Sequence, residues 1–324
     1  MAPWDDTRAV AELLGEKTSS DILLYSGEIN YAGAVRTLAR CESKRRANGI
    51  LFLVTFGGDP DAGYRIGRHL QQTYTRLTVV VPSWCKSSGT LIVTAAHELA
   101  MAGRAELGPL DVQMAKPDEV DELRSGFIVN DAFEAMQKQA LEMLRQCVID
   151  LKKNTAGATI TGKTAIQTAS SLTGSLFGHL YAQVDPMHMG EAYRAGRVAR
   201  EYGQRLSEIG GNLKDKALDN LISGYPSHSF VIDRNEATQL FNSVRPLSED
   251  EAALVTSLGF FAAFPWGTKS PLVEFLSLTG EESRNAESQQ DGGGADDTKS
   301  EGGSDGDGAV AEGAHVTPIR QAGE

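Results

Sequence analysis

Residues 49–60 read Gly-Ile-Leu-Phe-Leu-Val-Thr-Phe-Gly-Gly-Asp-Pro. From Gly49 to Phe56 the run is almost continuously apolar, the pattern of a strand covered on both faces. Two glycines end it, and the next helix starts near Asp61. A doubly covered strand that turns straight into a helix is the building unit of a parallel α/β sheet.

The same unit recurs on both sides. Upstream, 21–29 reads as a buried strand ending near Gly27. A helix follows it, with Ala32, Val35, Leu38 and Ala39 at helical spacing. The first twenty residues form a short amphipathic lead-in. Downstream, 77–81 is a third strand, 89–99 an apolar helical stretch, and 99–101 a short strand. The clearest helix is 130–152, where Phe133, Met136, Ala140, Leu141, Leu144, Val148 and Leu151 fall on one face. The Thr-, Gly- and Ala-rich stretch 156–173 resolves into neither loop nor helix. Residues 189–203 and 213–223 read as helices, 225–231 as a turn and strand, and 234–241 as a short helix. The chain is therefore expected to be α/β, with parallel strands covered by helices in one domain over residues 21–278.

Beyond about residue 279 the composition changes. Between Glu281 and Glu312 there are ten acidic and two basic residues, out of a formal net charge of −12 for the whole chain. With almost no large apolar side chain, residues 279–324 cannot offset their ordering entropy and read as a disordered acidic tail. No basic footprint for a nucleic acid is present. Three cysteines (Cys41, Cys85, Cys147) without CxxC spacing argue against a disulfide framework or a zinc site. Scattered histidines leave no metal site expected. No signal peptide or membrane-spanning run is visible, so the sequence reads as cytoplasmic.

Two turns carry the chemistry. Gly57-Gly58, directly after a strand, lets the backbone approach a substrate closely and point an amide N–H at it. On the bland reading it is only a turn. Some thirty residues on, Pro82-Ser-Trp-Cys-Lys-Ser-Ser-Gly-Thr-Leu91 leads from a strand into a helix. A serine there is ordinarily an N-cap. It also suits a nucleophile, because the helix N-terminus favours negative charge and Gly89 leaves room for an acyl group. Two such turns together supply what a two-donor oxyanion hole needs.

The combination of Thr55-Phe-Gly-Gly-Asp-Pro60, Ser87-Ser-Gly-Thr-Leu-Ile-Val-Thr-Ala-Ala-His-Glu-Leu99 and Leu107-Gly-Pro-Leu-Asp-Val-Gln113 resembles the serine dehydrogenase proteinase family. That family stands with signal peptide peptidase A and the Clp protease proteolytic subunit, in the Clp/crotonase fold. Further matches at 184–191 and 224–237 extend the likeness over roughly residues 20 to 250. The resemblance implies a serine peptidase acting on peptide or protein substrates, without metal, nucleotide or other cofactor, and assembled as a homo-oligomer. Its Ser-x-Gly pattern places the nucleophile at Ser87. The N–H groups of Ser88 and of Gly57 or Gly58 then form the oxyanion hole. No dinucleotide fingerprint supports the dehydrogenase in the family's name.

The base departs from both better-known relatives. Where Clp proteases carry their histidine, this chain reads Leu110-Asp-Val-Gln-Met114, with Asp111 instead. Where signal peptide peptidases carry a lysine it reads Leu123-Arg-Ser-Gly-Phe-Ile-Val129. Lys116 and Lys138 are the nearest lysines, and Lys86 is expected to point elsewhere. His228 lies in the segment that carries the triad acid in Clp proteases. With Asp111 as the acid, it would give a triad whose supporting roles are exchanged, which geometry permits. The competing reading of His228 is a core or turn histidine, and His97 reads as structural. Two other functions stay open: a catalytically silent peptide-binding or scaffold protein, and an acyl-CoA enzyme of the crotonase type. Gly259-Phe-Phe-Ala-Ala-Phe-Pro-Trp266 is either a closing element on the core or an exposed patch, Phe260–Trp266, for a protein partner. The acidic tail could also recruit a partner.

Overall fold

Strands and helices alternate along the chain, in keeping with the switching period of its apolar residues. The structure, a computed structural model, describes residues 4–110, 113–115, 123–153, 159–267 and 270–277. The first half holds α1 (Asp5–Thr18), β1 (Ser20–Ser26), α2 (Tyr31–Cys41), β2 (Asn48–Val54), α3 (Pro60–Thr73), β3 (Arg76–Val81), β4 (Trp84–Cys85), α4 (Ser88–Val93), β5 (Glu98–Met101) and β6 (Glu106–Leu107). Next come β7 (Gln113–Ala115), β8 (Leu123–Ser125), α5 (Gly126–Lys153), α6 (Gly162–Tyr181) and α7 (Pro186–Gly210). The last elements are α8 (Ala217–Ser223), α9 (Arg234–Leu240), β9 (Val244–Arg245), α10 (Glu249–Leu258), α11 (Phe260–Ala263) and β10 (Leu272–Phe275).

The main sheet runs in the order β10-β1-β2-β3-β5-β9, parallel throughout except for the antiparallel edge strand β10. Alternate residues of its strands serve two cores. Leu23, Tyr25, Leu51, Leu53, Val79 and Val81 face the layer of α2, α3 and α4. Ile22, Leu24, Ile50, Phe52, Val80 and Ala100 face Ala11 and Leu14 of α1 and Leu254 and Leu258 of α10. The fold is thus mixed α/β, a mostly parallel sheet flanked by helices. Its parallel register lines up the ends of β1 at Ser26 and β2 at Val54. The turns after β2 and before α4 therefore meet beyond the C-terminal ends of the strands, where ligands of open parallel sheets bind.

Several expectations are corrected by the structure. The lead-in is a full helix, α1, buried through Ala11 and Leu14. The helix after Ser87 stops at Val93 rather than Leu99. There Ala95 and Ala96 donate to the carbonyls of Ile92 and Val93, three residues back, and Thr94 Oγ1 donates to Leu91 O at 2.7 Å. His97 consequently stands at the entry to β5. The stretch 156–173 contains the Thr161 cap and the first half of α6, with Thr161 Oγ1 accepting from Thr164 N at 3.2 Å. Leu141, grouped with the inner face of α5, is 68% exposed. No strand forms at 225–231; that segment ends in a single bridge between Leu107 and Ile232. The tail from 279 onward lies outside the described residues.

The edge strand β9 is anchored to α10 by a buried ion pair. Arg245 donates to Glu251 through Nη1 at 2.6 Å and Nη2 at 2.7 Å, and Ser248 N donates to the same carboxylate at 2.7 Å. Burial pushes the Glu251 carboxyl up, but Arg245 and Ser248 together outweigh it and hold it below the usual range. A depressed carboxyl stabilises the fold fully above its unfolded value of about 4.3, and that stability is lost as pH falls through the folded value. Glu251→Gln is expected to cost on the order of 3 kcal/mol at pH 7. In denaturant melts the gap between variant and native protein should close toward pH 3; an equal gap at both pH values would remove the ion pair as its cause.

Candidate active site

The two turns singled out in the sequence are joined by backbone pairing. Thr55 N donates to Trp84 O at 2.8 Å, and Lys86 N donates to Thr55 O at 3.0 Å. This parallel bridge between Thr55 and Cys85 sets Gly57-Gly58 directly against Ser87. A Cβ placed on Gly57 would lie 2.8 Å from Ser87 Cβ and 3.4 Å from its Oγ, so any side chain there would occupy the space at the serine. Both glycines have the positive φ that excludes ordinary residues, 107° at Gly57 and 139° at Gly58.

Ser87 occupies the cap position of α4 without acting as a cap. Its φ of 50° and ψ of −117° are strained for a residue with a Cβ, and its hydroxyl makes no capping hydrogen bond to the helix. Side-chain capping, the bland reading of this serine, is therefore not what the hydroxyl does. Ser88 differs. It is buried, and its Oγ donates to Gly58 O at 2.6 Å, tying the start of α4 to the glycine turn. One of the two adjacent serines is thus committed to structure, and the other is half-buried on a strained turn.

The backbone donors also separate. Gly57 N–H is taken by Thr55 Oγ1 at 2.9 Å, while Gly57 O accepts from Ile29 N at 2.8 Å. Gly58 lies in an isolated bridge with Ile29, and neither its N–H nor that of Ser88 has an acceptor among the described residues. The Thr-x-Gly spacing, a hydroxyl accepting from the N–H two residues on, is the sequence signal that could have told the glycines apart. Gly89 has a different purpose from the one expected. A Cβ there would meet Thr55 Cγ2 at 2.5 Å and Cys85 Sγ at 2.9 Å, so its smallness serves the packing of α4 on the strand ends, not an acyl group. Cys85 itself is fully buried, and burial pushes its thiol far up, which keeps it protonated and inert.

His228 sits half-buried in the turn between α8 and α9, flanked by Ser227 and Ser229, whose hydroxyls are 2.9 Å apart. The segment it belongs to reaches the Ser87 turn through Lys86, whose Nζ donates to Phe230 O at 3.3 Å. Asp111 and Lys116 lie outside the described residues. Lys138 is exposed on α5 and pairs with Glu134 at 2.9 Å. His97 is structural as expected: its Nδ1 accepts from Leu77 N at 3.1 Å, and burial together with Arg76 lowers its imidazole. Among the described residues no cluster of His, Cys, Asp and Glu could hold a metal, and no helix is long and apolar enough to cross a membrane.

One feature of the site was not legible as a unit. Phe56, just before Gly57, and Trp84, three residues before Ser87, touch edge to face at 5.3 Å, and Phe56 continues to Phe264 at 5.2 Å. Phe260 and Trp266 extend this surface, and Phe261 links it to Trp4 at 5.0 Å. The stretch 259–266 closes on the core and also leaves apolar side chains exposed. Ala262 is buried and its carbonyl accepts from Ser83 Oγ at 2.7 Å, whereas Phe260, Phe264 and Trp266 remain about half exposed.

Comparison with known proteins agrees with the resemblance read from the sequence. An uncharacterized protein of Methanocaldococcus jannaschii is 29% identical over 138 residues, 40% of this chain and 46% of that protein. The chain thus spans less than half the length of this curated relative. Among solved structures, a mutant of the 1510-N membrane-bound stomatin-specific protease is similar at 21% identity, covering 46% of this chain and 75% of that one, with a TM-score of 0.29. A second mutant of that protease, in complex with a substrate peptide, is similar at 20% identity over 46% and 71%, with a TM-score of 0.30. A mutant of ClpP1 from Listeria monocytogenes is similar at 18% identity over 49% and 83%, with a TM-score of 0.25. Residues 41–189, which include both turns and Ser87, match the model of the ClpP-like SDH-type serine proteinases.

Proposed function

We propose that the protein is a serine endopeptidase that cleaves peptide bonds through an acyl-enzyme on Ser87. The observation that carries this reading is the division of labour at 87–88: a strained, uncapped serine faces Gly57, and its neighbour's hydroxyl is spent on Gly58 O. In the first step Ser87 Oγ attacks the scissile carbonyl carbon while its proton passes to His228. The carbonyl π-pair moves onto oxygen, and the oxyanion is received by the N–H groups of Gly58 and Ser88. Collapse of this intermediate expels the amine, which takes the proton from His228. Water then attacks the acyl carbon by the same route, with His228 as base, and releases the acid and Ser87. Asp111 is assigned to orient and stabilise the imidazolium. No metal, nucleotide or other cofactor takes part in this scheme. Reaction with a serine-directed fluorophosphonate, mapped by mass spectrometry, tests it. Covalent modification at Ser87 supports the reading, and well-folded protein that takes up no probe turns it toward a silent peptide-binding protein.

The self-association implied by the resemblance is assigned to the aromatic face. Phe56, Trp84, Phe260, Phe264 and Trp266 together leave roughly 500 Å² of contiguous apolar surface, given the 150–250 Å² that one aromatic side chain can bury. That is well over half of the ~800 Å² per partner of a standard interface, and 259–267 contains no charged residue to pair with lipid headgroups or the acidic tail. A second copy is the occupant that fits. In sedimentation velocity the native protein is expected as an assembly and the double variant Phe260→Ser, Trp266→Ser as a smaller species. Native protein that sediments as a monomer, or an unchanged variant, would refute this assignment.

A further inference from the structure

Lys86 is a buried ionisable group that the scheme above leaves unused. It directly precedes Ser87, yet it is only 8% exposed. Its ammonium pairs with Glu106 Oε1 at 3.0 Å and donates to Leu107 O at 3.2 Å and Phe230 O at 3.3 Å. These three acceptors come from two distant parts of the chain, β6 and the turn that carries His228. The stem is gripped as well, because a Cβ on Gly108 would stand 2.7 Å from Lys86 Cδ and 3.3 Å from its Cα. A buried ammonium needs its three donors satisfied, and here all three are used.

We propose that Lys86 is a positioning residue: it clamps the segment bearing His228 onto the turn bearing Ser87, so that nucleophile and base keep a fixed separation. This rests on the Ser87–His228 reading above. The Leu107–Ile232 bridge already brings that segment to β6, with Ile232 N donating to Leu107 O at 3.1 Å. Between Ile232 and the start of the turn, however, the Lys86 ammonium supplies the tie to Phe230 O, two residues from His228. Hydrogen bonds to a charged donor are the stronger kind, and a displacement of about 1 Å between reacting groups costs on the order of a hundredfold in rate.

The test compares Lys86→Met, Glu106→Gln and Gly108→Ala with the native protein in two measurements. The first is amide hydrogen exchange over 225–232, which reports the clamp whether or not the protein is an enzyme. The second is the rate of fluorophosphonate labelling at Ser87 as a function of pH. Lys86→Met keeps an unbranched stem and loses the donors. It is expected to speed exchange in 225–232, slow labelling about tenfold to a hundredfold, and weaken the acid limb that His228 gives the profile. Glu106→Gln leaves the donors to both carbonyls in place and should label at close to the native rate. Gly108→Ala keeps the ammonium but displaces its stem, so it should follow Lys86→Met; it carries the test if the methionine variant does not fold. Fast exchange with native labelling would overturn the positioning role, as would a Glu106→Gln defect equal to that of Lys86→Met. Native protein that fails to label at Ser87 would instead overturn the underlying reading.

Discussion

Ser87→Ala is expected to abolish fluorophosphonate labelling altogether, whereas Ser88→Ala should still label at residue 87, several-fold more slowly. In the labelling step Ser87 Oγ forms a bond to phosphorus, fluoride leaves, and the hydroxyl proton passes to the base, so without that oxygen no adduct can form. Against a peptide, loss of the nucleophile is expected to cost on the order of 10⁶ in kcat. Ser88→Ala removes the 2.6 Å hydrogen bond to Gly58 O. Losing it costs about 1 kcal/mol of order in the turn, a several-fold effect on rate. A third variant separates site from scaffold. Ser87 holds a φ of 50°, which costs a residue with a Cβ about 1–2 kcal/mol and costs glycine far less. Ser87→Gly should therefore be inactive and melt higher than the native protein. A drop in melting temperature would mean that the strain at this turn has been misjudged.

What the sequence made legible follows the range of the interactions involved. The sheet could be read because β1, β2 and β3 are buried on both faces, and continuous apolar runs such as 49–54 leave few alternatives. The two turns were legible because Gly57 and Gly58 need positive φ and glycine supplies it. The end of α4 was not, since Ala95 and Ala96 are good helix residues that leave the helix only because β5 must return to pair with β3. β10 was missed for a similar reason. Four residues, Leu272–Phe275, become a strand only by pairing with β1 some 250 positions earlier. Within the site, Ser87 was picked out over Ser88 by the Ser-x-Gly resemblance. The physical ground for that choice, the Ser88–Gly58 tie, is a contact between two loops that no local pattern reports. The Lys86 clamp and the aromatic face have the same origin: the Lys86–Phe230 tie spans 144 positions, and Phe56 and Phe264 are similarly distant in sequence.

His228→Ala is expected to reduce both labelling at Ser87 and peptide hydrolysis by about 10⁴-fold or more, while His97→Ala leaves the chemistry largely intact. The two histidines are opposites in their surroundings. His97 accepts a backbone hydrogen bond from Leu77 at the entry to β5, in a place where burial keeps it neutral. Removing it strands that N–H at the edge of the core and should cost about 1–3 kcal/mol of stability with little effect on labelling. His228 lies on a turn with an exposed rim, fastened to the residue before Ser87. If it is the base, native labelling must fall at acid pH as the imidazole takes up a proton and can no longer accept one from Ser87. In His228→Ala that acid limb should vanish along with the rate, and added imidazole should restore part of both. A variant that labels at the native rate with the native pH profile would rule His228 out. The same profile run on Lys116→Met would then decide whether a lysine is the base, because an amine base gives the native profile a limb above the histidine range, and that limb should vanish with the rate in this variant. The exchanged-role triad thus stands or falls on a curve that separates the two kinds of base by shape.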